Sequence, residues 1–189
     1  MRKTLYILIF LSAGLRVFGQ DTATVTIYGH INSFTFTAPD GWELQQRSAV
    51  EEDFGYFADF YKRNEPRKYL TTLTVRAYKL QAEKIPDEVN KNMEKHMKEN
   101  GIVMKEEPGN DIKTNEGNIA KVKLITETIG SSKNYQIYAH IKLDEDGVGI
   151  TLMTRTKEEL VKAYKAFEVL VKSCVIRQMA PHDKRIHGN

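Results

Sequence analysis

The residues of this 189-residue sequence that could carry out chemistry are five histidines, one cysteine and several acidic clusters. A catalytic zinc site needs three positioned ligands. His182 and His187 flank Asp183 near the C-terminus, but their spacing matches no rigid pair on a helix. His140 falls on a predicted strand, and His96 lies beside the apolar stripe of a predicted helix. We therefore expect these histidines to be polar or half-buried residues, and we predict no metal site.

The other candidates give little support to acid–base or nucleophilic catalysis. Four carboxylates are close in sequence, but carboxylates act as acid and base only with shifted pKa values in a cleft, and a run of charges is typical of a solvated face: Glu51, Glu52, Asp53 and Asp59. Cys174 lies on the apolar stripe of a predicted helix, as a buried small hydrophobic residue does. The sequence lacks the motifs GxxxxGK[ST], GxGxxG, GxSxG and HExxH. We therefore predict no catalytic residue and no cofactor.

An acidic turn at Asp144, Glu145 and Asp146 raises the question of a calcium site. It lacks the remaining ligands and the distal glutamate of an EF-hand loop. Because alternating apolar residues flank it on both sides, we predict a hairpin turn there.

The first twenty residues, MRKTLYILIFLSAGLRVFGQ, have the organisation of a secretory signal peptide. Basic residues precede an apolar stretch over residues 5–15, and Val17 and Gly19 stand at positions −3 and −1 of a cleavage site. The apolar stretch is shorter than the about 20 residues of a transmembrane helix. We therefore predict a signal peptide over residues 1–19, export to the periplasm or the exterior, and no transmembrane segment after cleavage.

The net charge of the sequence comes from this leader. The full sequence has 28 Lys+Arg against 25 Asp+Glu. Arg2, Lys3 and Arg16 lie in the leader, which has no acidic residue, so 25 of each sign remain after cleavage. Nucleic-acid binding normally needs a basic patch, so we predict no nucleic-acid partner. One cysteine also excludes an intrachain disulfide framework.

Hydrophobic periodicity divides the rest of the sequence into strands and two helices. Alternation predicts strands over residues 23–29, 33–38, 54–61, 68–79, 102–106, 120–124, 135–143 and 148–152. A helix is predicted over Pro86–Asn100, and residues 108–117 are predicted to form a mobile turn-rich segment. This order indicates the α+β class, with an antiparallel sheet and helices packed on it. We predict a single domain over residues 20–176 and a solvated C-terminal tail over residues 177–189.

The closing helix is predicted to begin at Thr156, because Glu159 completes a capping box three residues later. One apolar stripe follows at helical spacing, with two further apolar residues beside it: Leu160, Tyr164, Phe167, Val171 and Cys174, and then Ala163 and Leu170.

The stretch APDGW (38–42) has the composition of a β-turn. Pro39 suits position i+1, Asp40 suits i+2 and Gly41 suits i+3. Trp42 follows the turn, where its ring either covers the end of the core or contributes to a binding site.

The segment FGYFADFY (54–61) is dense in aromatic residues. On a strand, alternate residues face opposite ways, so Phe57 and Tyr61 face away from Ala58 and Phe60. Either both faces of the sheet are covered, or one face meets a partner. We predict Phe57, Tyr61 and Trp42 as partner-binding residues.

Two stretches and the strand-rich middle resemble the PsbP-like superfamily. They are FTFTAPDGWEL, with its P-x-G-W turn, and YAHIKLDEDGVGITLMTRTKEELVKAYKAFEVLVKS, a late hairpin followed by a Thr-capped helix with Phe167 at its middle. The resemblance implies an α/β/α sandwich with a central antiparallel sheet flanked by helices. Its members are mostly accessory or binding proteins.

We therefore expect an exported, non-catalytic binding or accessory protein that contacts a protein of the cell envelope. The alternative is a small-molecule-binding protein or enzyme with a pocket between the sheet and a helix. A structural subunit with no pocket is the third interpretation.

Overall fold

The computed structural model of the chain describes residues 23–45, 57–63, 71–79, 95, 97–143 and 145–180. The predictions for the signal peptide, for Phe54 and Tyr56, for most of the helix over Pro86–Asn100 and for residues 181–189 lie outside these ranges. Lys95 and residues 97–99 are helical, in agreement with the end of that predicted helix.

The described residues form a series of strands and, before the last of them, one long helix. The strands are β1 (Thr24–Tyr28), β2 (Asn32–Thr37), β3 (Trp42–Gln45), β4 (Phe57–Lys62), β5 (Thr72–Lys79), β6 (Ile102–Pro108), β7 (Ile112–Lys113), β8 (Ile119–Ile129), β9 (Ser132–Lys142), β10 (Asp146–Thr154) and β11 (Val175–Gln178). The C-terminal helix (Lys157–Lys172) lies between β10 and β11.

These strands form two sheets. The large sheet has the order β3-β4-β5-β10-β9-β8-β6, with β7 paired to the start of β8, and the small sheet has the order β1-β2-β11. Within each sheet, neighbouring strands are antiparallel. The prediction of an α+β fold built on an antiparallel sheet is therefore confirmed, and strands dominate it. The helix-flanked sandwich is not clearly formed, because the second predicted helical layer lies largely outside the described residues.

The hydrophobic core lies between one face of the large sheet, here called the core face, and a layer made of the small sheet and the C-terminal helix. The alternation predicted from the sequence places the expected residues there. Fully buried examples from the sheets and the helix are Phe34, Phe36, Phe60, Leu73, Val75, Val148, Ile150, Leu152, Phe167, Leu170 and Val171. Burial of each such side chain stabilises the fold by about 1.5–3 kcal/mol.

The C-terminal helix begins as predicted. The Thr156 hydroxyl accepts a hydrogen bond from the Glu159 N–H at 3.1 Å, which satisfies one free donor of the first turn. Its apolar stripe is buried except for Tyr164, which is 37% exposed and lies with its ring 6.2 Å from that of Phe167. Cys174 is fully buried, and burial together with Glu116 raises the pKa of its thiol to about 12. Its prediction as a small hydrophobic residue is confirmed.

Two segments differ from the prediction because their alternation is too short to read. β11 pairs with β2 and extends past residue 176, and its Arg177 forms an ion pair with Glu116 at 2.8 Å. Residues 108–117, expected to be a mobile turn-rich segment, contain β7 with Ile112 buried. The Asn115 N–H also donates to the Lys172 carbonyl at 2.9 Å, which ties this segment to the C-terminal helix.

Asp146 joins the two sheets. It is 0% exposed at the start of β10, where its carbonyl accepts from the Leu143 N–H at 2.8 Å and closes the predicted hairpin turn. Its carboxylate Oδ1 accepts from the His30 N–H at 2.8 Å, and Oδ2 accepts from the N–H groups of Ile31 and Asn32 at 2.7 and 2.8 Å. The carboxylate therefore satisfies the free N–H groups of the turn between β1 and β2, as a bound anion would.

Replacing this carboxylate should destabilise the fold. Asp146→Asn puts an amide in place of one acceptor oxygen, so at least one buried N–H of the β1–β2 turn loses its partner. We expect the free energy of unfolding to fall by about 2–3 kcal/mol, measured by urea denaturation. Glu145→Gln is the control, because this neighbouring side chain is 59% exposed and should change stability by less than about 0.5 kcal/mol. Equal losses in the two variants would contradict the role of Asp146.

Candidate functional site

The large sheet has a second face, opposite the core face, whose side chains are polar and aromatic. Pairing between the strands places Tyr61 of β4, Thr74 and Tyr78 of β5, and Tyr138 and His140 of β9 on this second face. All five are half-buried, whereas the residue that precedes each of them, on the core face, is buried. The second face is therefore where the candidate site residues meet.

Tyr61, one of the predicted partner-binding residues, lies on this face within a short chain of hydrogen bonds. Its hydroxyl donates to Asp59 Oδ2 at 3.4 Å, and Asp59 Oδ1 accepts from the Thr74 hydroxyl at 2.7 Å. Asp59 is 6% exposed, so the carboxylate is buried among its partners. Phe57 begins the same strand, and its backbone pairs with Arg76.

Trp42, the third predicted partner-binding residue, lies in the core. Its N–H donates to the Pro39 carbonyl at 3.0 Å and Gly41 has φ 79°, so a turn is present at APDGW, but it begins one residue later than predicted, with Pro39 at position i and Gly41 at i+2, where a positive φ favours glycine. The Trp42 side chain is 6% exposed and packs in the hydrophobic core. Its burial agrees with the interpretation of the ring as a core cover and keeps it away from the second face.

Two tyrosine rings lie directly on the backbone of β10. A Cβ atom at Gly147 would lie 2.5 Å from the Tyr78 ring, and one at Gly149 would lie 2.8 Å from the Tyr138 ring. Only glycine leaves room for these rings, which in turn shield the backbone. The Tyr78 hydroxyl hydrogen-bonds to Tyr138. Burial raises the pKa of Tyr78, and Tyr138 raises it further.

A cleft of about 410 Å³ opens next to His140, between the ends of β6, β8 and β9. Its lining consists of Glu106, Glu107, Pro108, Gly109, Asp111, Lys121, Val122, Lys123 and His140. The cleft arises from a bulge. Pro108 pairs with Lys123 and Ile112 with Ala120, so four steps along one strand face three along the other.

The charges around this cleft are already paired. Lys121 Nζ lies 2.6 Å from Asp111 Oδ2, and Lys123 Nζ lies 2.7 Å from Glu106 Oε2. Both lysines of the lining are therefore engaged in ion pairs, while the carboxylates of Glu106 and Glu107 stay about half exposed.

His140 is the polar group of the cleft whose hydrogen bonding is incomplete. Its ring stacks on Tyr138 with centroids 5.8 Å apart, and its buried Nδ1 atom has no hydrogen-bond partner. Burial is the main cause that lowers the pKa of His140, and the charges of Lys123 and Lys142 lower it further. The imidazole therefore takes up a proton less readily than an exposed histidine does. The prediction of a half-buried residue is confirmed.

Sequence reasoning found the strand of His140 but missed the cleft, whose wall depends on the bulge at residues 109–111. For the two tyrosine rings that lie on β10, the usable signal was the pair Gly147 and Gly149 in a strand, since such glycines mark a close approach of other groups. In the described part of the chain, no group of three or more His, Cys, Asp or Glu side chains could hold a metal ion. The same residues include no helix long and apolar enough to cross a membrane.

The lowered pKa of His140 predicts a pH dependence of stability. In the unfolded chain a histidine takes up a proton near pH 6.5, whereas in the fold it does so at lower pH. As the pH falls from about 7.5 to 5, protonation thus favours the unfolded chain. His140→Gln should remove this term, so urea denaturation should show wild type losing more stability than the variant over this range. An NMR titration placing the His140 midpoint at or above 6.5 would contradict this.

No protein-family model matches the chain, and the search of curated proteins finds no match. Among solved structures, CyanoP, the cyanobacterial PsbP of Synechocystis sp. PCC 6803, matches with 12% identity and a TM-score of 0.50 over 82% of this chain and 94% of its own. LpqN of Mycobacterium tuberculosis, involved in cell envelope biogenesis, matches with 12% identity and a TM-score of 0.51 over 82% of this chain and 91% of its own.

A weaker match, to the Ran-binding protein Mog1p of Saccharomyces cerevisiae, has 14% identity and a TM-score of 0.43 over 81% of this chain and 87% of its own, and it supports no conclusion. At the identities of CyanoP and LpqN, the likeness extends to the fold alone. The chain therefore has a PsbP-like fold.

Proposed function

We propose that this chain is an exported, non-catalytic binding protein that contacts a protein of the cell envelope through the second face of its large sheet, around β4. One observation carries the proposal: Tyr61, Tyr78 and Tyr138 lie half-buried on this one face. Tyrosine is enriched in protein interfaces, because its ring buries apolar area while its hydroxyl keeps a polar partner.

The hydrogen bonds of the second face favour binding without a large loss of entropy. Tyr61 is bonded to Asp59, which is bonded to Thr74, so the ring is held before a partner arrives. Tyr78 is held in the same way by Tyr138 and by its contact with Gly147. Side chains that are already ordered cost less to immobilise in a complex.

The location in the cell envelope rests on the sequence. The signal-peptide pattern over residues 1–19 supports export, and the balanced charge of the remaining chain gives no support to a nucleic-acid partner. We include Phe57 in the proposed surface because it begins β4, four residues before Tyr61.

Site-specific photo-crosslinking in cells tests the position of this surface. Gln45 is exposed, and its backbone pairs with Asp59 of β4. A photoreactive residue at Gln45 should capture one saturable protein, whereas the same residue at Thr26, exposed on the small sheet, should not. Equal capture from both positions would contradict the proposal.

The captured protein should then be purified and its affinity measured directly. Tyr61→Ala should weaken binding about 10-fold or more. Tyr28→Ala is the matched control, since Tyr28 is 40% exposed on the small sheet and should leave the affinity within about twofold of wild type. Circular dichroism should show both variants folded, and unchanged affinity in Tyr61→Ala would refute the surface.

The cleft beside His140 supports a second candidate, a small-molecule-binding protein or enzyme. Its volume of about 410 Å³ falls within the range of about 300–1,000 Å³ of small-molecule sites. The cleft lies between the ends of β6, β8 and β9, whereas the sequence-based alternative placed a pocket between the sheet and a helix.

A thermal-shift screen with neutral metabolites tests this candidate. A true ligand should raise the melting temperature of wild type and of Tyr61→Ala equally, and its effect should be lost in His140→Ala. In an NMR spectrum the ligand should shift the His140 ring signals. A ligand whose effect survives His140→Ala would place the binding site elsewhere.

A further inference from the structure

β6 is the outermost strand at one side of the large sheet. In the described part of the chain it pairs with β8 and with no other strand. The side chains from Val103 to Pro108 are all exposed, and those of Val103 and Met104 are 64% and 42% exposed although they are apolar. An edge strand with exposed apolar residues is a template for pairing with another strand.

The register shows which backbone groups of β6 face outwards. The Gly109 N–H donates to the Val122 carbonyl at 2.9 Å, so Gly109 and Val122 form a hydrogen-bonded pair of the ladder. In an antiparallel ladder such pairs recur at every second residue. Val103, Lys105 and Glu107 therefore direct their N–H and C=O groups towards β8. The residues that alternate with them, Ile102, Met104 and Glu106, direct their N–H and C=O groups away from the sheet.

Pro108 fits this assignment. It lies at the end of β6 on the outward-facing series, where its missing N–H removes no bond to β8. The outer edge therefore presents three N–H donors, on Ile102, Met104 and Glu106, and ends at a proline.

The two halves of β6 differ in chemistry. Ile102, Val103 and Met104 are apolar, whereas Glu106 and Glu107 carry carboxylates that are 49% and 53% exposed. Although each carboxylate has a lysine neighbour, this exposure leaves oxygen atoms accessible at one end of the edge.

We propose that the outer edge of β6 is a strand-addition site for an extended peptide of a partner protein, antiparallel to β6, with basic residues at its N-terminal end and apolar residues after them. The backbone of the peptide would bond to Ile102, Met104 and Glu106. Its basic residues would lie beside Glu106 and Glu107, and its apolar residues beside Val103 and Met104. Strand addition obtains affinity from main-chain bonds and specificity from such side-chain neighbours.

A second copy of this chain fits the edge less well than such a peptide. Antiparallel self-pairing centred on Lys105 sets the two Lys105 side chains directly opposite each other, which is destabilising. Pairing centred on Glu106 sets Lys105 opposite Glu107, but it also sets the two Glu106 carboxylates opposite each other and pairs Met104 with Pro108, which has no N–H to donate. Pairing centred on Met104 brings the two Lys105 side chains into diagonal contact. Pairing centred on Val103 joins little more than the three apolar residues of each copy.

This surface is distinct from the one around Tyr61, so its test does not depend on the proposed function. The probe is the acetylated, amidated peptide Lys-Arg-Thr-Val-Ile-Thr, and its binding is followed by NMR on residues 20–189. At saturation, hydrogen exchange at the N–H groups of Ile102, Met104 and Glu106 should slow at least 10-fold. The N–H groups of Val103 and Lys105 should be protected with or without peptide.

Two variants separate main-chain bonding from side-chain contact. Met104→Pro removes one outward N–H and no bond to β8, so it should weaken peptide binding at least 10-fold, measured by fluorescence anisotropy. Met104→Leu keeps the N–H and should bind within about threefold of wild type, as should Tyr61→Ala. A peptide with Glu-Glu in place of Lys-Arg should bind wild type at least 10-fold more weakly.

Three outcomes would overturn the proposal. The first is no change in exchange at the three outward N–H groups at saturating peptide, a result that stands even if Met104→Pro fails to fold. The second is full protection of these groups in the free chain. The third is protection that rises with protein concentration in the absence of peptide, which would identify a second copy as the occupant.

Discussion

The buried carboxylate of Asp146 is the constraint on which the two-layer structure depends. The small sheet covers part of the core face, yet the turn between its first two strands leaves three N–H groups pointing inward. Asp146 is the first residue of β10, a central strand of the large sheet, and its carboxylate accepts a hydrogen bond from each of these N–H groups. Gly29 permits the close approach, because a Cβ there would lie 2.7 Å from Asp146 Oδ2. A buried polar group that lacked such partners would destabilise the fold.

The core was predictable from the sequence because its strands alternate over long stretches. Over residues 137–141 of β9 and 148–152 of β10 every second residue is apolar and buried. In the C-terminal helix the Thr156 cap gave the start and the stripe gave most of the buried face, but the stripe ran on to Cys174, two residues past the end of the helix at Lys172. β3 and β11, with four residues each, are too short for alternation to be distinguished from chance. The link between Asp146 and the β1–β2 turn spans more than 100 residues, and no local pattern records it.

The candidate site was less predictable than the core, because it depends on a turn and on a bulge that interrupt the alternation. Tyr61 and His140 could be placed on the correct face because alternation fixes direction along a strand. The same rule could not tell that Trp42 lies in the core, because a turn separates it from the preceding strand. The cleft beside His140 depends on one additional residue in the strand opposite β8, and a bulge of this kind leaves only a weak trace in a single sequence.

The small sheet joins the beginning of the described chain to its end. β2, the central strand, pairs on one side with β1 and on the other with β11, which includes Gln178. During synthesis β1 and β2 are therefore made long before β11, which can pair with β2 only after residues 175–178 have left the ribosome. Contacts of such long sequence separation form slowly. Until then the side of β2 that β11 will cover has no strand paired with it, so its backbone N–H and C=O groups stay accessible.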